Sequence, residues 1–162
     1  MWTLRNYRFG FDPWGLGWFL LIMLPNFVWF TAPPANDILR AESVTPLLDG
    51  VGQVLQAVMA AAMCAVVNRV RGGPVKGWAV GGVLCVALYL AGWAAYYAGI
   101  TRPAVILTLC LAPCGAFLSF ALARKNGPAL LAAAGFAICH LVSTVINFIL
   151  CVNYKNPGAV WG

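Results

Sequence analysis

Five stretches of the chain contain no Asp, Glu, Lys or Arg, and each is long enough to cross a lipid bilayer. They hold between 19 and 29 residues and comprise 13–36, 50–68, 77–101, 103–123 and 126–154. A bilayer core is about 30 Å thick, so a helix needs roughly 20 apolar residues to span it. Because lipid cannot satisfy free backbone groups, each stretch is predicted to be helical. The sequence therefore predicts one all-α domain over residues 1–162, an integral membrane bundle of five transmembrane helices, with spans at 14–31, 47–67, 78–100, 104–123 and 129–152 and a single sizeable loop at 32–46.

Composition excludes most other classes of protein. Hydrophobic residues make up 62% of the chain and charged residues only 9%, whereas soluble domains carry about 25% charged residues. This composition is also the opposite of that of a disordered chain. A transmembrane β-barrel is not expected, because barrel strands alternate in polarity and these stretches are continuously apolar.

The basic residues are divided unevenly between the two sides of the predicted bundle. Five spans place the chain termini on opposite sides of the membrane. The N-terminal side then holds seven basic residues and the other side three, namely Arg5, Arg8, Arg69, Arg71, Lys76, Arg124 and Lys125 against Arg40, Arg102 and Lys155. Since basic loops stay in the cytosol, the sequence predicts an N-in, C-out orientation. These residues form no continuous patch, so the expected partner is the lipid bilayer and not nucleic acid.

Two segments outside the spans carry local signals. Asn36 or Asp37 is suited to cap a short helix over residues 38–42 in the outer loop. Near the N-terminus, aromatic residues alternate with two arginines and are typical of an anchor at the lipid headgroups: Trp2, Tyr7, Phe9, Phe11 and Trp14.

Polar residues recur with helical periodicity inside the predicted spans. In the second and fifth spans they follow one another at three- and four-residue intervals, which places each set on one helix face. Polar groups in lipid normally face the bundle interior or a water-filled cavity. With alternating spans, these residues fall between the middle and the outer end of the bundle, with Gln56, Tyr89 and His140 near the middle. We therefore expect a polar and aromatic ligand-binding cavity there, lined by Asn26, Asp49, Gln53, Gln56, Tyr89, Trp93, Tyr96, His140, Thr144 and Asn147.

Other roles are open to the same residues. Polar side chains in membrane helices often only bond neighbouring helices, each bond contributing about 0.6 to 2 kcal/mol. Their concentration at one depth favours the cavity. All six cysteines fall inside predicted spans, and Cys110 and Cys114 form either a redox or soft-metal pair or, as we expect, buried packing thiols. One histidine cannot form a metal site alone, and the chain has no cofactor motif, so neither metal nor cofactor is predicted.

Three classes of function fit these features. The first is binding or transport of a small apolar or aromatic ligand, with His140 coupling occupancy to protonation and Pro25 supplying a hinge. The second is a non-catalytic accessory or regulatory subunit, present as a homodimer or bound to another membrane protein. The third is a membrane enzyme with His140 as acid or base, alone or with Asp49. It ranks last, because no nucleophile or cofactor motif accompanies these residues.

The last span and the tryptophan content suggest a relationship to a known family. Residues 143–147 read STVIN and are followed by Asn153, and the chain holds seven tryptophans. In this and in its five-helix layout the chain resembles the tryptophan-rich sensory and translocator family, whose members bind tetrapyrroles and sterol-like ligands. The similarity covers about one span, and residues 31–37 read TAPPAND where the family has a Trp- and Pro-rich motif. The whole chain resembles small multispanning proteins of bacteria, which implies a location in the cytoplasmic (inner) membrane.

Overall fold

The computed structural model describes residues 6–35, 37–69 and 73–150, and this part of the chain holds five long helices. They are α1 (Pro13–Thr31), α2 (Pro46–Ala65), α3 (Lys76–Tyr97), α4 (Pro103–Ala123) and α5 (Gly127–Thr144), and a π-helical segment (Val145–Leu150) continues α5. All five are long and apolar enough to span a membrane. The predicted all-α fold, with five helices that have the length and apolar character of membrane spans, is confirmed. Its described helix ends lie within three residues of the prediction, and residues 151 and 152 lie outside the described part.

The helices begin where the sequence supplies suitable residues. Proline occupies the first turn of α1, α2, α4 and α5, where its missing N–H costs no hydrogen bond. Asp12 caps α1 by accepting from the backbone N–H groups of Trp14 and Gly15. Asn126 caps α5 through the N–H of Ala129. These prolines and caps fix the positions at which the chain turns back into the bundle.

Helix α4 occupies the centre of the bundle. It packs between α3 and α5, α2 packs against α5, and α1 lies against α2, α3 and α4. Half of the residues in the apolar stretch of α4 are buried inside the bundle, compared with 11% of those in α1. The indole N–H of Trp18 on α1 donates to the carbonyl of Ala116 on α4 at 3.2 Å. Helix α1 is therefore the most peripheral element.

A short two-stranded sheet joins the N-terminal segment to the end of α2. Strand β1 (Tyr7–Phe9) pairs antiparallel with β2 (Val66–Asn68), with Arg8 opposite Val67. Helix α2 therefore ends at Ala65 and not at the predicted residue 67. Two of the N-terminal residues predicted to form a headgroup anchor, Tyr7 and Phe9, belong to strand β1. Trp2, another residue of that anchor, lies outside the described residues.

The two ends of the bundle differ in what covers them. Consecutive helices run antiparallel. The start of α1 contacts the end of α2 at Gly15 and Met63, and the first half of α2 contacts the second half of α5 at Gly52 and Cys139. We call the end that carries the loop 32–46 the loop end, and the end that carries β1 and β2 the strand end. The C-terminal halves of α1, α3 and α5 and the N-terminal halves of α2 and α4 lie at the loop end.

Candidate ligand-binding cavity

A cavity of about 640 Å³ lies among the five helices in the half of the bundle nearer the loop end. Nine of the ten side chains predicted to bind a ligand line it: Asn26, Asp49, Gln53, Gln56, Tyr89, Trp93, His140, Thr144 and Asn147.

Aromatic rings form much of the cavity wall. Trp93 on α3 lies edge-on to Tyr89, with ring centroids 6.3 Å apart, and 6.4 Å from Trp29 on α1. On α5, the ring of Phe136 stacks on the imidazole of His140 at 5.1 Å. The indole N–H of Trp93 is buried and makes no hydrogen bond within the described ranges. The wall thus offers flat apolar surfaces with few polar edges.

Several of the predicted polar residues bond to other parts of the protein. The Asn26 amide donates to the Tyr89 hydroxyl at 2.8 Å, which joins α1 to α3. Asp49 accepts hydrogen bonds from Ser43 in the loop and from Ser143 on α5. Asn147 accepts from the backbone N–H of Val44 at 2.7 Å. For Asn26, Asp49 and Asn147, interhelical and loop bonding accounts for the polar side chain.

Gln53 and His140 differ, because neither side chain forms a hydrogen bond to any described residue. Gln53 is exposed on α2, and His140 is partly buried on α5. The Gln56 amide reaches only the sulfur of Met23, at 3.5 Å, and sulfur is a weak acceptor. A neutral imidazole offers one donor and one acceptor, and each glutamine amide offers donors and an acceptor. These groups are available to a molecule inside the cavity.

Tyr96, the tenth predicted residue, does not line the cavity. It is 1% exposed, and its hydroxyl donates to Asp37 at 2.8 Å and accepts from the N–H of Leu39 at 3.2 Å. Periodicity placed it on the face of α3 that carries Tyr89 and Trp93. At Tyr96, one turn closer to the C-terminal end of α3 than Trp93, that face contacts the loop 32–46. Tyr96 therefore anchors the loop.

Asp37 has a role that its sequence neighbourhood does not indicate. The helix that it precedes is a single 3-10 turn, Ile38–Arg40, shorter than predicted, and the Asp37 side chain does not cap it. Its carboxylate instead accepts from the Trp29 indole at 2.9 Å and from the Tyr96 hydroxyl, and it pairs with Arg40 at 3.1 Å. An acidic residue just before a short helix is compatible both with a helix cap and with a contact to another helix. The sequence around Asp37 therefore does not distinguish the two roles.

The loop closes only part of the cavity. Four lining residues are exposed, namely Phe30 at the end of α1, Ala41 and Ser43 in the loop, and Gln53 on α2. The cavity therefore opens to the surface of the protein where α1, α2 and the loop meet.

Groups for metal or acid–base chemistry are sparse in the described part of the chain. No three His, Cys, Asp or Glu side chains come together there as metal ligands would. Asp49 bonds to two serines and not to His140, so the two residues do not form a hydrogen-bonded acid–base pair. Cys110 and Cys114 are buried free thiols, and Cys110 lines the cavity. Cys151 lies outside the described residues.

Comparison of the chain with protein-family models, with curated proteins and with solved structures gives no match.

Proposed function

We propose that the protein binds a small apolar or aromatic molecule in the cavity, to transport it or to sense it. The observation that carries this proposal is the combination of cavity size and lining. Ligand pockets are typically about 300 to 1,000 Å³ and are mostly apolar with a few placed polar groups. Here the cavity is about 640 Å³, aromatic rings form much of its wall, and the side chains of Gln53 and His140 form no hydrogen bond to any described residue.

The lining favours a flat ligand with one or two hydrogen-bonding groups at one edge. Trp93 and Tyr89 offer ring surfaces on one side, and Gln53 and His140 offer donors and acceptors from α2 and α5. The resemblance to the tryptophan-rich sensory and translocator family supports the same class, since planar tetrapyrroles and sterol-like molecules are its ligands. A molecule of this kind partitions into lipid and reaches the cavity between α1 and α2.

We further propose an N-in, C-out orientation in the bacterial cytoplasmic membrane, with the loop end outside. Among the described residues, the strand end carries five basic side chains and the loop end two: Arg8, Arg69, Lys76, Arg124 and Lys125 against Arg40 and Arg102. Asp37, Glu42 and Asp49 leave the loop end close to neutral. The positive-inside rule then assigns the strand end to the cytosol and the cavity to the outer half of the membrane.

The proposal is tested by ligand-dependent thermal stability of the purified protein in neutral detergent, with protoporphyrin IX and a sterol as the first probes. A ligand at 100 times its Kd stabilises a protein by about 2.7 kcal/mol. We expect stabilisation of the wild type and at least about tenfold weaker binding in the double variant Gln53→Leu, His140→Leu, which removes two ligand hydrogen bonds.

Thr31→Val is the matched control, because Thr31 lies at the same end but bonds only to carbonyls of its own helix. It should bind ligand like the wild type. The ligand proposal fails if no planar apolar probe stabilises the wild type while the double variant is more stable than the wild type. Purification only as a complex with another membrane protein would then favour the accessory-subunit function.

A further inference from the structure

A second pocket, of about 340 Å³, lies at the strand end of the bundle. It is formed by β1, β2, the turn between α4 and α5 and the segment before α3. Among the described residues, four basic side chains from three separate segments of the chain line it: Arg8, Arg69, Arg124 and Lys125. The fold therefore brings together charges that are up to 117 positions apart in the sequence.

One acidic residue, Asp12, lies in this pocket, and its charge is already compensated. Asp12 is 5% exposed and accepts from Arg124 at 2.6 and 3.2 Å, in addition to capping α1. The other three acidic residues of the chain, Asp37, Glu42 and Asp49, belong to the loop end.

Three basic side chains of the pocket are thus left without a carboxylate partner. Arg8, Arg69 and Lys125 form no ion pair with any described residue, and the sequence contains no further Asp or Glu that could supply one. Three uncompensated positive charges around one concave site favour an anionic ligand.

The position of the pocket along the bundle indicates the source of that anion. Its residues lie just beyond the ends of the apolar helices, since α1 begins at Pro13, α2 ends at Ala65 and α4 ends at Ala123. Helices of 19 to 21 residues have the length of the bilayer core, so residues beyond their ends lie at the level of the lipid headgroups. Lys and Arg at this level attract anionic lipids.

We propose that this pocket binds the phosphate group of an anionic phospholipid, with Arg8, Arg69 and Lys125 as its ligands. An arginine guanidinium donates two parallel hydrogen bonds to phosphate oxygens, and a lysine adds a point charge. The Asp12–Arg124 pair ties the turn that carries Lys125 to the start of α1, and the pairing of β1 with β2 brings Arg69 beside Arg8. The proposal is independent of any ligand in the central cavity.

The test is a lipid titration of the purified protein in neutral detergent, read by thermal stability and by native mass spectrometry. Dioleoylphosphatidylglycerol, dioleoylphosphatidylcholine and inorganic phosphate are added separately. We expect the phosphatidylglycerol to bind and stabilise the wild type more than the phosphatidylcholine does. In the variant Arg8→Gln, Arg69→Gln this binding should weaken about 25-fold, since each basic group near an anionic surface contributes about a fivefold factor.

Arg102→Gln is the control, because Arg102 is an exposed arginine at the loop end that also lacks an ion pair among the described residues. It should bind phosphatidylglycerol like the wild type. Equal weakening in Arg102→Gln and in the double variant would mean a general surface-charge effect and would overturn the proposal. Stabilisation by inorganic phosphate without additional stabilisation by lipid would overturn the lipid source. A double variant that loses stability in phosphatidylcholine but keeps its lipid affinity would assign these arginines a structural role instead.

Discussion

Replacing Asp37 by alanine is expected to detach the loop 32–46 from the helices that it covers. The Asp37 carboxylate is the shared acceptor for the Trp29 indole on α1 and the buried Tyr96 hydroxyl on α3, and it pairs with Arg40. Arg40 in turn donates to the last carbonyls of α1 and lies 5.2 Å over the Trp29 ring. One carboxylate thus links the loop, α1 and α3.

The size of the effect follows from the partners that are lost. A hydrogen bond to a charged group contributes about 1.5 to 3 kcal/mol. The ion pair with Arg40 adds at most about 1 kcal/mol, because half of the Arg40 side chain is exposed to solvent. Two lost hydrogen bonds at the lower limit give a destabilisation of about 3 kcal/mol for Asp37→Ala. Asp37→Asn retains one acceptor oxygen and should lose about half as much.

The assay is the free energy of unfolding in mixed micelles, titrated with a denaturing detergent and followed by circular dichroism. Glu42→Ala is the matched control, since Glu42 is an exposed acidic residue of the same loop without a hydrogen bond or ion pair to a described residue. It should change stability by less than about 0.5 kcal/mol. The assignment of Asp37 as the loop anchor is refuted if Asp37→Ala and Glu42→Ala have the same stability.

Two further predictions concern the strand end and use the same unfolding assay. Gly15→Ala should destabilise the protein by about 1 to 3 kcal/mol or more, because the added Cβ would lie 2.1 Å from the backbone carbonyl oxygen of Met63. Gly17→Ala is the control: it has open space around it, so the change should be neutral or stabilise the protein by up to about 1 kcal/mol. Equal effects of the two substitutions would contradict the close contact between α1 and α2. Asn126→Ala should cost about 3 kcal/mol, since it removes the α5 cap and two bonds to carbonyls at the end of α2. A loss below about 1 kcal/mol would show that water replaces these bonds.

The helices were predictable from the sequence because the information for them is local. The cost of placing a charge in lipid restricts Asp, Glu, Lys and Arg to the helix ends, and prolines mark four of the starts. The pairing of β1 with β2 was not predictable in this way. Each strand has only three residues, and the two are separated by all of α1 and α2, so that no periodicity within either segment indicates the other.

The collection of polar residues in one half of the bundle was also predictable, because alternating helices bring their polar faces to a common depth. The hydrogen-bond partner of each polar group was not. Asp49 and Gln53 lie one turn apart on the same face of α2, yet only Asp49 meets serines of the loop and α5. The difference depends on the path of the loop, which periodicity does not encode. The same limit explains why periodicity predicts Tyr96 in the cavity and why the local sequence predicts Asp37 as a helix cap.

The two ends of α1 are held in different ways, and this difference bears on how a ligand would reach the cavity. At the strand end, backbone bonds from Gly10 and Asp12 reach the last residues of α2, and Gly15 lies directly against it. Nearer the loop end, the bond between α1 and α2 in the described part of the chain is the weak one from Gln56 to Met23, while α1 is tied to α3 through Asn26. Separating α1 from α2 at the loop end therefore breaks a weaker polar contact than separating α1 from α3. Exposed lining residues of the cavity, Phe30 on α1 and Gln53 on α2, lie on these two helices, so under the proposed function a lipid-soluble ligand would enter between α1 and α2.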